Sequence, residues 1–458
     1  MARHDRLPLV EAWTRPFDAA LRRHLSEVRD YTHAFWARWD RRGLETYRNM
    51  GWSLRPFVLR RAHLDFIASA LHAGLSGVRE QIVASLKSRG GLYRALPFQR
   101  RLQECLDMEG GLASPALLSH LRPDGFLFAD RYVLSELNYG NGVMVSCAYT
   151  DVVHDYWKGH PVIRRLGWDV DRHHRRPLPR LLNVVQRFLR PSPRPFVALL
   201  AHSEEWKVIE GYPPKVMHQI HFAQRELKAL GIDSQVVTEK GLRVDRRGEV
   251  HVKGARRPAD LVMCLTIGSS FADRPEKLKP GRSLAFLRGP RVGNVWLVKP
   301  FAGLVIDKGT LPMLDAQDFA RRAADGFRFE VGATEFTRGQ RPSRYTRKQR
   351  DWVIKRSFDG KDTHVGWVRS PELWKEIARE VVKDDGYVAQ KYVSIPRARV
   401  PVLADGHHLE FVESRVELSS FIFDGHFGGA AARHAPDAEG LVMTDPPENY
   451  GFSTVFAV

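Results

Sequence analysis

The sequence predicts a protein of mixed class, an α/β unit set into an α+β body behind a helical N-terminal region, and three observations carry that expectation. Within residues 191–290, continuous apolar runs and a helical segment follow one another as strand, helix, strand and strand, the rhythm of a small doubly wound sheet. On either side, residues 116–190 and 291–458 contain short strand-like pieces separated by turn residues. Residues 1–115 instead space their apolar positions three and four apart, which is the helical period.

In the N-terminal region the spacing runs through Phe35 to Trp39 and again through Phe66, Ile67, Ala70, Leu71 and Leu75. No chemistry is visible there, and the expectation is a helical cap or arm packed on the body. From Leu117 the pattern changes. Gly125 to Ala129 and Arg131 to Asn138 read as two strands joined by a turn at Asp130, a hairpin. The basic run Arg172 to Arg180 is interrupted by prolines, in the manner of a solvated linker. Phe196 to Leu200 then reads as a buried parallel strand. A helix over about 215–230 closes at Gly231, and Ser234 to Thr238 and Ala259 to Leu265 supply two further strands. Beyond 291, Trp352 to Lys355 and Tyr387 to Gln390 flank a helix whose apolar face is Leu373, Trp374, Ile377 and Val381. Leu409 to Val416 and Ser420 to Phe423 read as long antiparallel strands that turn at Asp424-Gly425.

A chain of 458 residues exceeds what one hydrophobic core usually organises, so two to four domains are expected. The 43% hydrophobic and 27% charged shares are ordinary, and no stretch approaches the roughly 20 apolar residues of a membrane span. The N-terminus shows no apolar core of a secretory signal, so a cytoplasmic protein is expected. Cys105, Cys147 and Cys264 stand in unrelated contexts and read as free thiols. The net charge of +18 is spread along the chain. It suits an enzyme of anionic substrates better than a nucleic-acid surface, which clusters its cations.

Chemistry-bearing residues fall into three clusters. In the first, Arg122 and Asp124 lie two apart on one predicted strand, and Glu136 and Asn138 two apart on the next. Side chains two apart share a face. Two carboxylates and an amide oxygen beside an arginine form a hard-oxygen set suited to Mg²⁺; the plain alternative is an exposed hairpin with a surface ion pair. The glycine-rich continuation Asn138 to Gly142 would let backbone approach a ligand. In the second cluster, Lys308 and Lys355 end buried-looking strands, where an ammonium needs an anion and phosphate is the usual one. Each could instead reach past its strand to solvent. The polar loop Ser357 to Gly366, with Gly360 in it, could close over phosphates, but no Walker loop occurs in the chain. The third cluster is Gln390-Lys391-Tyr392-Val393, then Glu413-Ser-Arg415-Val-Glu417, then Gly428 to Arg433.

Taken in order, these residues resemble the ATP-grasp enzymes in their circularly permuted form, as in glutathionylspermidine synthase-like carboxylate-amine ligases. The matching strings are R-P-D…E-L-N at 122–138, I-D-K-G-T-L at 306–311, V-I-K-R-S at 353–357, Y-V-A-Q-K-Y-V at 387–393 and F-I-F-D-G-H-F-G-G-A-A-A-R at 421–433. The resemblance covers about residue 115 to the end. It implies a circularly permuted ATP-grasp fold with an inserted Rossmann-like α/β domain. The implied divisions are an N-terminal helical region at 1–115, a first segment with the acidic hairpin at 116–190, the Rossmann-like domain at 191–290, and the ATP-binding lobes at 291–458.

The same resemblance implies ATP and Mg²⁺, with Asp124, Glu136 and Asn138 as metal ligands and Lys308 and Lys355 on the phosphates. Gln390, Lys391 and Val393 would lie around the adenine, Gly360 in the covering loop, and Arg433 on a phosphate. Arg122, Glu136 and Lys355 would form the catalytic set, with Arg122 stabilising charge on the acyl phosphate. The implied reaction joins a small-molecule or peptide carboxylate to an amine, releasing ADP and phosphate. Two departures stand out. The covering loop is poor in glycine, with Lys361 and His364 where small residues are usual, and no thiol-peptide recognition is visible. A non-catalytic nucleotide- or peptide-binding accessory protein and a basic RNA-interacting protein are the rival readings. A membrane partner is not expected, and the oligomeric state, with a homodimer as one option, stays open.

Overall fold

A computed structural model of the chain describes residues 6–40, 51–86, 118–139, 141–189, 191–201, 221, 224–245, 247, 249–264, 308–316, 321–357, 363–384, 386–436 and 451–458. Among them, the largest feature is a ten-stranded, mostly antiparallel sheet. Its centre is the 16-residue strand His408–Phe423, which hydrogen-bonds His426–Pro436 on one side and the predicted hairpin strand His120–Leu127 on the other. The turn between the first two carries Asp424 at φ 49° and Gly425 at φ 80°, the left-handed pair that a two-residue hairpin of native twist demands.

The hairpin His120–Leu127 and Arg131–Tyr139 forms where the alternation places it. Strand Arg328–Val331 extends the sheet beyond it, parallel to Arg131–Tyr139. At the far side, Gly451–Ala457 takes on two short strands from the N-terminal region, Gly51–Trp52 and Phe57–Leu59. That region is therefore not wholly helical. Its helices Glu11–Arg23, Leu25–Asp40 and Arg61–Leu86 accompany strands that help build the main sheet. Helix Arg61–Leu86 buries Leu64, Ile67, Leu71, Leu75, Val78 and Ile82 in the same core as the hairpin residues Leu121, Leu134 and Leu137. Periodicity finds the helices, but strands of two and three residues are too short to show a period.

The three predicted strands between 196 and 264 form one parallel sheet, with Phe196–Ala201 between Asp233–Thr238 and Leu261–Cys264. The last turns of the expected 215–230 helix are helical at 224–229; the rest lies outside the described residues. The expected solvated linker is a correction. Arg172–Arg180 enters two helices, Val170–His173 and Pro177–Phe188, and His174 is 1% exposed. Helix Pro177–Phe188 wedges Leu178, Leu181 and Val185 between the parallel sheet and Phe421 and Phe423 of the main sheet. Proline at the first helical position starts a helix rather than breaking one, and Arg176 is held 2.7 Å from the buried Asp151. Both features are invisible to composition.

A separate four-stranded sheet is ordered Thr334–Phe336, Tyr387–Lys391, Trp352–Arg356, Thr363–Val365. Helix Pro371–Val381 covers it. Ser370 caps that helix by accepting from Leu373 N–H at 3.3 Å, and Pro371 opens it. Its buried face is Trp374, Ile377, Ala378 and Val381, which pack on Tyr345, Trp352, Ile354 and Ala389. Leu373 is off that face, 42% exposed, because the i, i+3, i+4, i+7 stripe starts one residue later. No described helix is long and apolar enough to cross a membrane.

Candidate functional site

The site is built where the acidic hairpin meets the small sheet. In the hairpin, Asp124 pairs with Glu136 and Arg122 with Asn138, as the spacing predicts. A bulge between Asp124 and Gly125 leaves Ser135 as the extra residue. The crowding at this bulge admits only glycine at 125: a Cβ there would lie 2.5 Å from the Val133 carbonyl oxygen and 2.6 Å from the Tyr132 ring. The bulge lets Ser135 serve both sides. Its hydroxyl donates to the Asp124 carbonyl at 2.9 Å, and its own carbonyl accepts from Lys355 Nζ at 2.9 Å.

Asp124 is 1% exposed and is held by three residues. Arg122 donates from Nε and Nη2 at 3.2 and 3.1 Å, Asn138 from Nδ2 at 2.9 Å, and Arg433 from Nη2 at 3.1 Å. Arg433 also pairs with the fully buried Glu417, its cross-strand partner in the long hairpin. Glu136 meets Lys308 Nζ at 3.1 Å, with Lys308 only 3% exposed. Burial opposes ionisation of Glu136, but Lys308, Lys355 and Arg433 outweigh it and hold the carboxyl down at about 2. Glu417 goes the other way: burial raises it, and Asp124 and Glu136 add to that against Arg433.

Lys355 comes from the small sheet and donates to Gln390 Oε1 at 2.9 Å as well as to Ser135. Burial brings its ammonium down to about 8, against the pull of Glu136. Gln390 turns its amide to the Leu134 carbonyl at 3.2 Å. The two side chains, from the two central strands, thus fasten one face of the small sheet to the hairpin backbone. Beside this contact runs a slot lined by Phe126, Val133, Val353, Val365, Val393 and Ile395, with Lys355 and Gln390 also on its wall. An apolar slit ending at a buried cation can take a flat ring whose substituent is anionic.

Of the predicted residues, Arg122, Asp124, Glu136, Asn138, Lys308, Lys355, Gln390 and Arg433 converge, and Val393 lines the slot. Lys391 also borders the slot, but its ammonium lies 4.0 Å from the centre of the Trp352 ring and 3.5 Å from Asp351. Strand alternation explains this, since Gln390 faces the site and its neighbour must face away. Gly360 lies outside the described residues. Oxygen donors from Asp124, Glu136 and Asn138, drawn together on paired strands, fit a hard divalent ion in chemical type. A second trio, Asp245, Glu249 and His251, has ligand atoms within 4.8 Å of one another. Its geometry is that of a turn: Asp245 Oδ1 accepts from the N–H groups of Arg247 and Glu249, and Oδ2 from His251.

The sequence matches no family model, and no curated protein matches it. In three dimensions, a glutathione synthetase-like effector from Globodera pallida, solved in its apo form, superposes on 89% of this chain and 90% of its own, with 11% identity and a TM-score of 0.54. The likeness is one of fold: the chain shares the overall fold of that effector. A candidate gamma-glutamylcysteine synthetase from Methylobacillus flagellatus covers 88% of the chain and 90% of its own at 7% identity, but its TM-score of 0.36 is too low to weigh.

Within this fold the sequence names Glu417 in its third cluster without giving it a role, and it passes over Ser135. Glu417 lies inside the buried run Val416 to Phe423, and a carboxylate in such a run needs a partner. The rule that singles out Lys355 would have found it. Ser135 carries no such signal, because only the bulge makes its carbonyl available.

Proposed function

We propose that the chain is an ATP-dependent carboxylate-amine ligase, a circularly permuted member of the ATP-grasp enzymes with a Rossmann-like insertion at 191–290. One observation carries the reading: Lys355 and Gln390 meet the acidic hairpin beside an apolar slot while Lys308 meets Glu136, so two cations, a metal-type oxygen set and an apolar slit lie together. The glutathione synthetase-like neighbour supports the same class of reaction.

In this reading the slot takes adenine against Val393 and Gln390, while Lys355, Lys308 and Arg433 meet the phosphates. Asp124, Glu136 and Asn138 would hold Mg²⁺, which supplies charge neutralisation for the transferred phosphoryl group. A substrate carboxylate oxygen attacks the γ-phosphorus and ADP leaves. The acyl phosphate so formed has a leaving group that a free carboxylate lacks. An amine then attacks the acyl carbon, phosphate departs, and the amine loses a proton. Arg122, fixed by its two bonds to Asp124, is placed to offset charge on the acyl phosphate and the tetrahedral species.

The test uses the purified full chain with ATP, Mg²⁺ and panels of acids, amino acids and peptides. ADP release is expected only when an acid and an amine are both present, and is expected to vanish in Glu136→Ala and Lys355→Ala. Tight nucleotide binding with no turnover on any pair would favour the accessory-protein reading instead.

A further inference from the structure

Each carboxylate assigned to the metal is already engaged by a cation assigned to the phosphates. Lys308 lies 3.1 Å from Glu136, and Arg433 lies 3.1 Å from Asp124. These are not surface pairs: Lys308 is 3% and Asp124 1% exposed. Charges this deep are stable only when matched, and removing one partner leaves a costly remainder.

We propose that Lys308 and Arg433 are internal counter-ions that the metal must displace, so that the site takes the divalent ion and the nucleotide together and resists either one alone. The inference rests on the ligase reading of the same site. A divalent ion entering by itself drives an ammonium and a guanidinium off their carboxylates and faces them as like charges. A nucleotide entering by itself draws the two cations to its phosphates, strips Glu136 of Lys308 and leaves Asp124 with Arg122 as its one ion-pair partner, beside more negative charge. When both enter, partners are exchanged and every charge keeps an opposite one. Arg433 is suited to this exchange because its pairing with buried Glu417 ties it to the neighbouring strand when Asp124 is given up. Lys308 is suited because it begins a short 3-10 turn, Lys308–Thr310, rather than lying within a strand.

The coupling is reciprocal, and couplings of this kind change affinity by roughly 5–150-fold. The probe is Mn²⁺, followed by the loss of its free-ion electron paramagnetic signal on titration with the full-length protein and no nucleotide. The wild type is expected to take up Mn²⁺ weakly. Lys308→Met and Arg433→Met are each expected to bind it at least ~10-fold more tightly, and Glu136→Gln placed in the Lys308→Met background should abolish the gain. In calorimetry a non-hydrolysable ATP analogue should bind the wild type at least ~10-fold more tightly with Mn²⁺ than without. Gln replacements at 308 and 433 stand in for any Met variant that does not fold. Equal Mn²⁺ affinity in wild type and variants overturns the counter-ion role. If no analogue binds the wild type under any condition, the ligase reading fails, while the Mn²⁺ titrations still decide whether these cations guard the carboxylates.

Discussion

Replacing Lys355 by methionine separates what this residue does for the fold from what it does for a ligand. The ammonium is 6% exposed, and burial brings it from 10.5 to about 8. Each tenfold in proton affinity is ~1.4 kcal/mol, so holding this charge inside the fold costs about 3 kcal/mol. Methionine removes that cost. It also removes the donor to the Ser135 carbonyl and to Gln390 Oε1, both at 2.9 Å, and an acceptor left unpaired costs about 1–3 kcal/mol. At pH 7 the two effects are of similar size, so stability at that pH discriminates poorly. Its pH dependence does. A depressed lysine is protonated in both states below about 8, where the penalty is complete. Between about 8 and 10.5 the unfolded chain holds more protons than the folded one, so stability rises with pH until the penalty is gone. Urea midpoints at pH 7 and 10 should therefore show the wild type gaining most of about 3 kcal/mol relative to Lys355→Met. ADP release should be absent in the variant at both values. A wild-type-to-variant difference that stays flat across that range, or a variant that still turns over, refutes the argument.

Trp374, fully buried at the centre of the small sheet's own apolar cluster, should lose about 3–5 kcal/mol on replacement by alanine. Hydrogen exchange should show that loss over residues 334–391 ahead of the main sheet. His160 is fully buried against Phe17, Tyr156 and Trp157, and among the described residues neither ring nitrogen has a hydrogen-bond partner. Burial brings its pKa from 6.5 down to about 3, so the neutral ring is the folded form and the wild type should lose stability as pH falls below 6.5. His160→Phe should raise the melting temperature at pH 7 and flatten that acid limb; a variant that melts lower at pH 7 would show that the ring has a polar role.

The parts of the fold legible in the sequence are those whose pattern is repeated several times. The hairpin at 120–139, the three parallel strands and the helix Pro371–Val381 each offer enough residues for a period to emerge. The Asp124 and Glu136 pairing was readable because a turn at Asp130 and the two-residue period leave few registers open. What escaped lacks a local period or depends on a distant partner. Gly51–Trp52 is a strand only because Gly451–Phe452 lies alongside it. Arg172–Arg180 is a basic run by composition, and it is helical because Leu178, Leu181 and Val185 bury between two sheets. Ser135 enters the site through one extra residue in a strand, which alternation counts as an ordinary position. Lys391 borders the slot, yet the pleat turns its ammonium toward Trp352 and Asp351.

The joint between the small sheet and the acidic hairpin is part polar and part apolar, with Phe126, Phe128 and Val133 of the hairpin clustered with Val393 and Ile395 just beyond strand Tyr387–Lys391. The small sheet has its own core of Tyr345, Trp352, Ile354, Trp374 and Ala389, distinct from the core under the hairpin. At the site the two bodies meet through Lys355 on the Ser135 carbonyl and Gln390 on the Leu134 carbonyl, beside the apolar slot. Hydrogen bonds exchanged for others of the same kind contribute little net free energy, whereas parting a packed core loses tens of contacts at once. A phosphate arriving at Lys355 replaces a neutral carbonyl partner by an anionic one, a stronger bond for the same ammonium. The polar part of the joint can therefore exchange partners with a ligand at small cost while both cores stay intact. In the ligase reading, the same two side chains hold the lobes together before ATP arrives and hold ATP afterwards.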